Sequence, residues 1–187
     1  MLFRSVVLQH EIPLETVHYV IEFCYEKGIK IVLNPAPAAA VPMEIIDKVT
    51  YVTPNEHEAV LIFGDELSTE DLLRKYPEKL VITQGSRGVS TCLKDGQILN
   101  VPARKAQVVD TTGAGDTLNG AFSVQIAEGK AIEDALAYAN VAASLSTEKF
   151  GAQTGMPTAE EVETALKILN GESVEKEIPV EMELITK

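Results

Sequence analysis

The sequence lacks the features that mark several common protein classes. Its 2 cysteines, Cys24 and Cys92, have neither a Cys-x-x-Cys spacing nor a His cluster nearby. We therefore expect buried free thiols in a reducing cytoplasm, not zinc ligands or a disulfide framework. No apolar run approaches the length of a membrane-spanning helix, and residues 1–8 lack the cleavage pattern of a signal peptide. Acidic residues exceed basic ones to give a net charge of −12, which disfavours a nucleic-acid partner.

Alternating strands and helices indicate an α/β fold. A chain of 187 residues with 45% apolar residues is long enough to form one domain around a sizeable core. Apolar runs predict strands at residues 5–8, 29–33, 49–53, 80–83 and 106–109, and Asp95-Gly96 predicts a hairpin between residues 89–94 and 97–101. Helices are predicted at residues 14–27, 42–47, 55–63, 69–75, 113–128, 132–149 and 158–169. This order is typical of a mostly parallel sheet with helices on both faces.

The most informative stretch is residues 109–120, where the predicted strand leads through Gly113, Ala114 and Gly115 into a helix. Backbone N–H groups left bare at such a helix start attract anions. Asp116 lies within this turn, and a carboxylate there would repel a phosphate unless a metal intervenes or the acid accepts a proton during phosphoryl transfer. The stretch is neither a Walker loop nor a dinucleotide fingerprint. The alternative interpretation is a glycine turn with Asp116 as a favourable helix N-terminal charge.

The same stretch resembles the C-terminal signature of the ribokinase family of sugar kinases. Residues 110–117 and 119–122 carry the resemblance, together with further motifs in the order that ribokinases show. These motifs are Asn-Pro-Ala-Pro at 34–37, Thr-Pro-Asn-Glu-His-Glu at 53–58, Thr-Gln-Gly-Ser-Arg-Gly at 83–88 and Lys-Phe-Gly-Ala-Gln at 149–153. The match covers about residues 5–168 and implies a three-layer ribokinase-like fold without its N-terminal part and lid. Residues 1–170 would form the nucleotide-binding and phosphoryl-transfer portion, and residues 171–187 an acidic tail with one short strand at 178–184.

The resemblance implies roles for the glycine turn and for one acid near the N-terminus. Asp116 resembles the catalytic base, which accepts the proton of a sugar hydroxyl as that oxygen attacks the γ-phosphorus. Gly113, Ala114 and Gly115 would stabilise charge on the transferred phosphoryl group through their backbone N–H groups. Glu11 matches an acid that contacts ribose in the family, and the alternative for Glu11 is a surface acid before a helix.

The resemblance also implies a magnesium site and a nucleotide site. Asn55 and Glu58 match the family's Asn-x-x-Glu pattern, whose implied role is to hold Mg²⁺ through water, with Glu56 as an alternative acid. Locally the same pair is typical of an N-cap Asn with a first-turn Glu. The residues implied for nucleotide binding, besides Asn55 and Gly115, are Thr83, Gly85, Ser86, Arg87, Gly88 and, near the base, Asn140. Without the resemblance, residues 83–88 are typical of a turn between strands, and a mid-helix Asn usually faces solvent.

A monovalent cation, K⁺, is implied beside the glycine turn. Asp110 would supply a side-chain oxygen to it, and backbone carbonyls would come from Thr112, Ser146, Lys149 and Gly151. The family often has Arg at the position of Lys149. The alternative is a loop that packs beside the anion site without binding a cation.

As a whole, the resemblance predicts ATP-dependent phosphorylation of a pentose, D-ribose at its 5-hydroxyl, with Mg²⁺ and K⁺. In the family, the part N-terminal to residue 5 supplies the first strands, the lid and most of the sugar pocket. We therefore expect this chain alone to bind nucleotide and to phosphorylate sugar weakly or not at all. An exposed sheet edge or apolar face would favour a homo-oligomer or association with the missing portion. The alternatives are a non-catalytic nucleotide-binding or interaction module, and a related kinase for a nucleoside or fructose phosphate.

Overall fold

A computed structural model describes residues 5–174 of the protein. Within this part of the chain the strands are β1 (Ser5–Leu8), β2 (Lys30–Leu33), β3 (Tyr51–Val52), β4 (Val81–Thr83), β5 (Val89–Cys92) and β6 (Ile98–Val101). The helices are α1 (Leu14–Glu26), α2 (Met43–Lys48), α3 (Glu56–Phe63), α4 (Thr69–Lys75), α5 (Ala114–Ala127), α6 (Ile132–Ser146) and α7 (Ala159–Leu169). A short 3-10 turn spans Gly85–Arg87 between β4 and β5.

The strand directions bring four strand ends to one edge of the sheet. β1, β2 and β3 pair in parallel in that order. Two isolated parallel bridges align β3 with β4: Val52 of β3 pairs with Leu80, just before β4, and Asn55, beyond β3, pairs with Thr83 at the end of β4. β4, β5 and β6 then continue as an antiparallel ladder. The carboxyl ends of β1 to β4 therefore lie along the edge where ligands bind in open α/β sheets.

Helices cover both faces of the sheet because its inner strands are apolar on both faces. In β2, Ile31 and Leu33 belong to the core that includes α1, whereas Val32 belongs to the core that includes Phe122 of α5. Side chains alternate between the faces of a strand, so one continuous apolar run reaches both helical layers. The Phe122 ring packs edge-to-face on Tyr51 of β3, with ring centroids 5.1 Å apart. The predicted three-layer α/β fold is confirmed.

The predicted strand at residues 106–109 is wrong. Its apolar residues indicated a buried strand, yet Val108 and Val109 are 63% and 61% exposed. The Val109 and Asp110 amides instead donate to the Thr147 carbonyl at the end of α6, over 2.8 and 3.2 Å. A carbonyl at a helix C-terminus lacks an intrahelical partner, so it satisfies amides that would otherwise pair with a strand. The glycine turn is therefore approached through an irregular segment tied to α6.

Other predicted elements are present with shifted ends. The Asp95-Gly96 hairpin joins β5 and β6 as predicted, and the helix predicted at 132–149 ends earlier, at Ser146. The predicted strand at 178–184 lies outside the described residues, as does most of the predicted acidic tail. Among residues 5–174, no helix combines the length and the apolarity needed to cross a membrane.

The outer edge of β1 is open within the described residues. β1 pairs only with β2 there, and its Val7 side chain is 41% exposed. Val124 of α5 is 53% exposed, and it lines a shallow groove with Val7 and Ser5. Within residues 5–174, the expected exposed edge is present and has uncovered apolar side chains beside it.

His10, which follows β1, is a buried histidine whose surroundings favour the neutral ring. Its imidazole is buried; Nδ1 donates to the Pro37 carbonyl over 3.2 Å, and Nε2 has no partner. Burial lowers the pKa of His10, and the Pro37 hydrogen bond opposes this to a smaller extent. Protonation would place a second N–H where no acceptor lies, so the folded state keeps the neutral ring.

We expect His10→Asn to reduce the decrease in the free energy of unfolding that wild type shows between neutral and acidic pH. Below about pH 6.5 the unfolded chain binds a proton at His10 that the folded chain does not, so the free energy of unfolding falls with pH until the lowered folded pKa is passed. Urea unfolding at about pH 7 and pH 5 measures this loss. His57→Asn is the matched control because that side chain is exposed. An equal loss of stability in wild type and His10→Asn would contradict the assignment.

Candidate active site

The residue that precedes α5 is a glycine that no other residue can replace without strain. Gly113 has φ of +79°, and a Cβ there would lie 3.0 Å from the Ala152 Cβ. No side chain caps the helix, so amides of its first turn are left for an anionic ligand. The Ala114 amide donates to the Thr111 carbonyl over 3.2 Å. Of the three amides predicted to hold a phosphoryl group, this one is thus already partly satisfied.

Asp116 lies in the first turn of α5 with an exposed carboxylate. Its Oδ1 accepts a hydrogen bond from Gln9 Nε2 over 2.7 Å. Gln9 directly follows β1, and the exposed Glu11 lies two residues further on. The structure therefore brings the predicted base to the segment that carries the predicted sugar-contacting acid, although 107 positions separate Gln9 from Asp116.

Asn55 and Glu58 form a reciprocal cap at the start of α3. Asn55 Oδ1 accepts from the Glu58 amide over 2.9 Å, and Glu58 Oε2 accepts from the Asn55 amide over 2.8 Å. The local alternative for this pair, an N-cap with a first-turn acid, is therefore the observed geometry. Glu58 Oε1 lies outside this cap, and the residue as a whole is 7% exposed. A magnesium role for the pair remains a prediction.

The predicted nucleotide loop lies beside this helix start. The bridge between Asn55 and Thr83 aligns the end of β4 with α3. Arg87, in the 3-10 turn, forms an ion pair with Glu56 in the first turn of α3. The Gln84 amide and the Gly88 carbonyl close the loop over 2.8 Å. Glu56, the alternative acid for magnesium, is therefore paired with the Arg87 guanidinium.

Asn140 does not face solvent, contrary to what is usual for a mid-helix Asn. Its side chain is 4% exposed, and Nδ2 donates to the carbonyls of Val101 and Pro102 over 3.2 and 2.8 Å. This contact ties α6 to the chain that leaves β6. Its structural role is clear, whereas its predicted position near a nucleotide base remains a prediction.

Asp110 accepts hydrogen bonds from two segments that the resemblance assigns to a cation site, those of Thr112 and Gly151. Oδ1 accepts from the Thr112 amide and Oδ2 from the Gly151 amide, both over 2.9 Å. These hydrogen bonds, that of Thr112 foremost, lower the pKa of Asp110, so the carboxylate stays ionised. Lys149 Nζ forms an ion pair with Glu161 Oε1 of α7 over 3.0 Å.

Three backbone carbonyls converge beside Gly155. A Cβ at Gly155 would lie 2.7 Å from the Ser146 oxygen, 2.8 Å from the Gly151 oxygen and 3.4 Å from the Lys149 oxygen. These are three of the four carbonyls that the resemblance assigns to K⁺. Convergent carbonyl oxygens with an ionised carboxylate nearby are donors that a hard monovalent cation accepts. The Gly151 carbonyl also accepts from the Gly155 amide over 2.8 Å, so a cation would share that oxygen, and K⁺ binding here remains a prediction.

Polar residues that sequence reasoning left without a role connect the strand ends to α5. They are Gln9, Asn34, Thr53 and Asn119, which are linked by hydrogen bonds. Asn34, Thr53 and Asn119 belong to quoted motifs, so the motifs pointed to the right positions. No local pattern, however, indicates contacts between residues so distant in sequence.

Comparisons with known proteins agree on one family. The sequence profile described as "pfkB family carbohydrate kinase" matches residues 1–159. The chain is 53% identical over 161 residues to ribokinase of Bacillus subtilis (strain 168), covering 86% of this chain and 54% of that protein. It is 50% identical over 167 residues to ribokinase of Lactococcus lactis, covering 89% of this chain and 55% of that protein.

A solved structure shows the same fold. The ribokinase of Arabidopsis thaliana, complexed with ribose and ATP, superposes with a TM-score of 0.79 at 31% identity. That superposition covers 87% of this chain and 55% of the other. The chain thus spans about half the length of the relatives it matches.

Proposed function

Because this chain belongs to the pfkB family of carbohydrate kinases, we propose that it carries the nucleotide-binding and phosphoryl-transfer part of a ribokinase-type enzyme. The reaction is transfer of the γ-phosphoryl group of ATP to the 5-hydroxyl of D-ribose. The observation that carries this proposal is the position of Asp116 in the first turn of an uncapped helix at the carboxyl edge of the sheet.

Asp116 acts as general base in this proposal. It accepts the proton of the ribose hydroxyl as that oxygen bonds to the γ-phosphorus and the bond to the ADP oxygen breaks. The amides of Gly113 and Gly115 hold the charge on the transferred group by fixed N–H dipoles. The Gln9 contact holds the Asp116 carboxylate toward the sheet edge, where the Glu11 segment would present the sugar.

The nucleotide and its ions are assigned to the remaining strand ends. The loop at residues 83–88 and Asn55 would hold the ATP phosphates, and Glu58 would bind Mg²⁺ through water. Mg²⁺ supplies charge neutralisation on the β- and γ-phosphates. Asp110 and the three carbonyls around Gly155 would hold K⁺ beside the turn at Gly113, where its charge favours an anion.

The chain alone is proposed to bind Mg·ATP and to phosphorylate sugar weakly or not at all. It spans about half of its relatives, and the open edge of β1 leaves apolar side chains exposed. An additional polypeptide or a second copy on that edge would cover these side chains.

A single-turnover assay with [γ-³²P]ATP and excess protein tests the function. We expect slow label transfer to D-ribose, and less to 2-deoxy-D-ribose, inosine or fructose 6-phosphate. Faster transfer to inosine or fructose 6-phosphate would favour a related kinase. ATP binding without transfer to any acceptor would favour a non-catalytic nucleotide-binding module. A multiple-turnover rate above about 1 s⁻¹ with ribose would contradict the expectation that this chain alone is weak.

A further inference from the structure

We propose that Thr53 and Gln9 are positioning residues, which hold Asp116 and the first turn of α5 through a hydrogen-bond network that is buried at Thr53 and reaches the surface at Asp116. The inference rests on the proposed function, because it assigns these residues a role relative to the base Asp116. The network begins at Thr53, directly after β3, and reaches α5 by two arms.

The first arm ends on the Asp116 side chain. The Thr53 carbonyl accepts from Asn34 Nδ2 over 3.0 Å, and Asn34 Oδ1 accepts from Gln9 Nε2, also over 3.0 Å. Gln9 Nε2 also donates to Asp116 Oδ1 over 2.7 Å. A backbone carbonyl can only accept, so it fixes the orientation of the Asn34 amide, which in turn fixes that of Gln9. Both N–H groups of Gln9 are then used, one on each acceptor.

The second arm ends on the backbone of the same helical turn. Thr53 Oγ1 donates to Asn119 Oδ1 over 2.5 Å. Asn119 Nδ2 then donates to the Gly115 carbonyl over 2.9 Å. Thr53 thus fixes the peptide that precedes Asp116 while the first arm fixes its carboxylate.

Burial makes these contacts obligatory near Thr53. Thr53 is 1%, Asn119 2% and Asn34 9% exposed, and a buried polar group that loses its partner has no water to replace it. Asp116 itself is exposed and would otherwise sample several rotamers. Hydrogen bonds to the rigid sheet edge restrict the Asp116 carboxylate to one orientation. A proton acceptor must be held in this way when the hydroxyl oxygen attacks a bound phosphate in line.

Thr53→Val removes the donor of the second arm without changing the side-chain shape, and Thr53→Ser keeps that donor. Gln9→Met removes both donors of the first arm at similar length. In the single-turnover assay with D-ribose, we expect Thr53→Val and Gln9→Met to lower the transfer rate by about 10- to 100-fold. The Kd for Mg·ATP should stay within about twofold, and Thr53→Ser should retain the rate. If these residues only stabilised the fold, the variants would lower the melting temperature, and the transfer rate and the affinity for Mg·ATP would fall together.

A second readout remains decisive if wild type transfers no phosphoryl group. The NMR signals of the Gln9 and Asn119 side-chain amides are assigned from variants that lack these side chains. The rate of hydrogen exchange at these amides is then compared with that at the exposed side chains of Gln97 and Gln107. We expect slower exchange for both. Asp116→Asn should shift the Gln9 signals, and Thr53→Val but not Thr53→Ser should speed exchange at Asn119.

The two readouts separate failure of the function from failure of this inference. No transfer and no saturable binding of Mg·ATP in wild type, with slow amide exchange and the expected shifts, would overturn the kinase proposal and leave the network supported. Exchange at Gln9 and Asn119 as fast as at Gln97 and Gln107 would overturn the network. Transfer in wild type that Thr53→Val and Gln9→Met both retain would overturn the positioning role.

Discussion

Asp116→Asn is expected to lower the single-turnover rate of phosphoryl transfer to D-ribose by about 10²- to 10⁴-fold. The amide keeps the shape of the carboxylate but cannot accept the hydroxyl proton. Mg·ATP should bind equally well or more tightly, because the variant removes a negative charge from the edge where the phosphates are proposed to bind. A fall in rate without a fall in nucleotide affinity therefore identifies a group that acts in the transition state.

Asp134→Asn is the matched control for this variant. Asp134 also lies in the first turn of a helix, α6, and is exposed, so it shares any favourable interaction with the helix dipole. Such an interaction is typically about 0.3–1 kcal/mol. If both variants lost similar stability and both retained the transfer rate, Asp116 would be a helix N-terminal charge and not a base.

Gly155→Ala is expected to abolish any dependence of the protein on K⁺. The new Cβ would lie 2.7 Å from the Ser146 oxygen and 2.8 Å from the Gly151 oxygen, so the carbonyls must move apart. Overpacking of this kind costs about 1–3 kcal/mol in the free energy of unfolding. Wild type should melt at a higher temperature in KCl than in tetramethylammonium chloride of equal ionic strength, since a bound ion stabilises the folded state. The variant should melt at the same temperature in both salts.

Gly120→Ala provides the control for the added methyl group. Gly120 lies within α5, and a Cβ there meets nothing within 4 Å. This variant should gain up to about 1 kcal/mol, because alanine favours helix over glycine, and it should keep the wild-type response to K⁺. A potassium response retained by Gly155→Ala would contradict a cation held by these carbonyls.

Local sequence patterns predicted the parts of the fold that local chemistry determines. The hairpin at Asp95-Gly96 is present because a glycine with positive φ closes a tight turn between two apolar strands. The helix start at Asn55 is present because Asn and Glu three positions apart form a reciprocal cap. The pattern failed at residues 106–109, where apolar residues stay exposed and the backbone bonds to α6 instead.

The candidate site was predicted only as far as its motifs extend. The glycine turn and Asp116 were identified because the surrounding motifs resemble those of ribokinases, since the local pattern alone is also typical of a helix N-terminal charge. The contact between Gln9 and Asp116 spans 107 positions and has no local signal. The convergence of carbonyls on Gly155 has none either, since every residue carries a carbonyl and only the fold decides where it points.

Calorimetric titration of the chain with Mg·ATP, in the presence and absence of D-ribose, tests the central claim most directly. A phosphoryl-transfer portion predicts saturable binding of one Mg·ATP per chain with a Kd below about 1 mM, in the range usual for enzyme substrates. An increase in affinity with ribose would add evidence for a sugar site. Absence of saturable Mg·ATP binding in either condition would contradict the account.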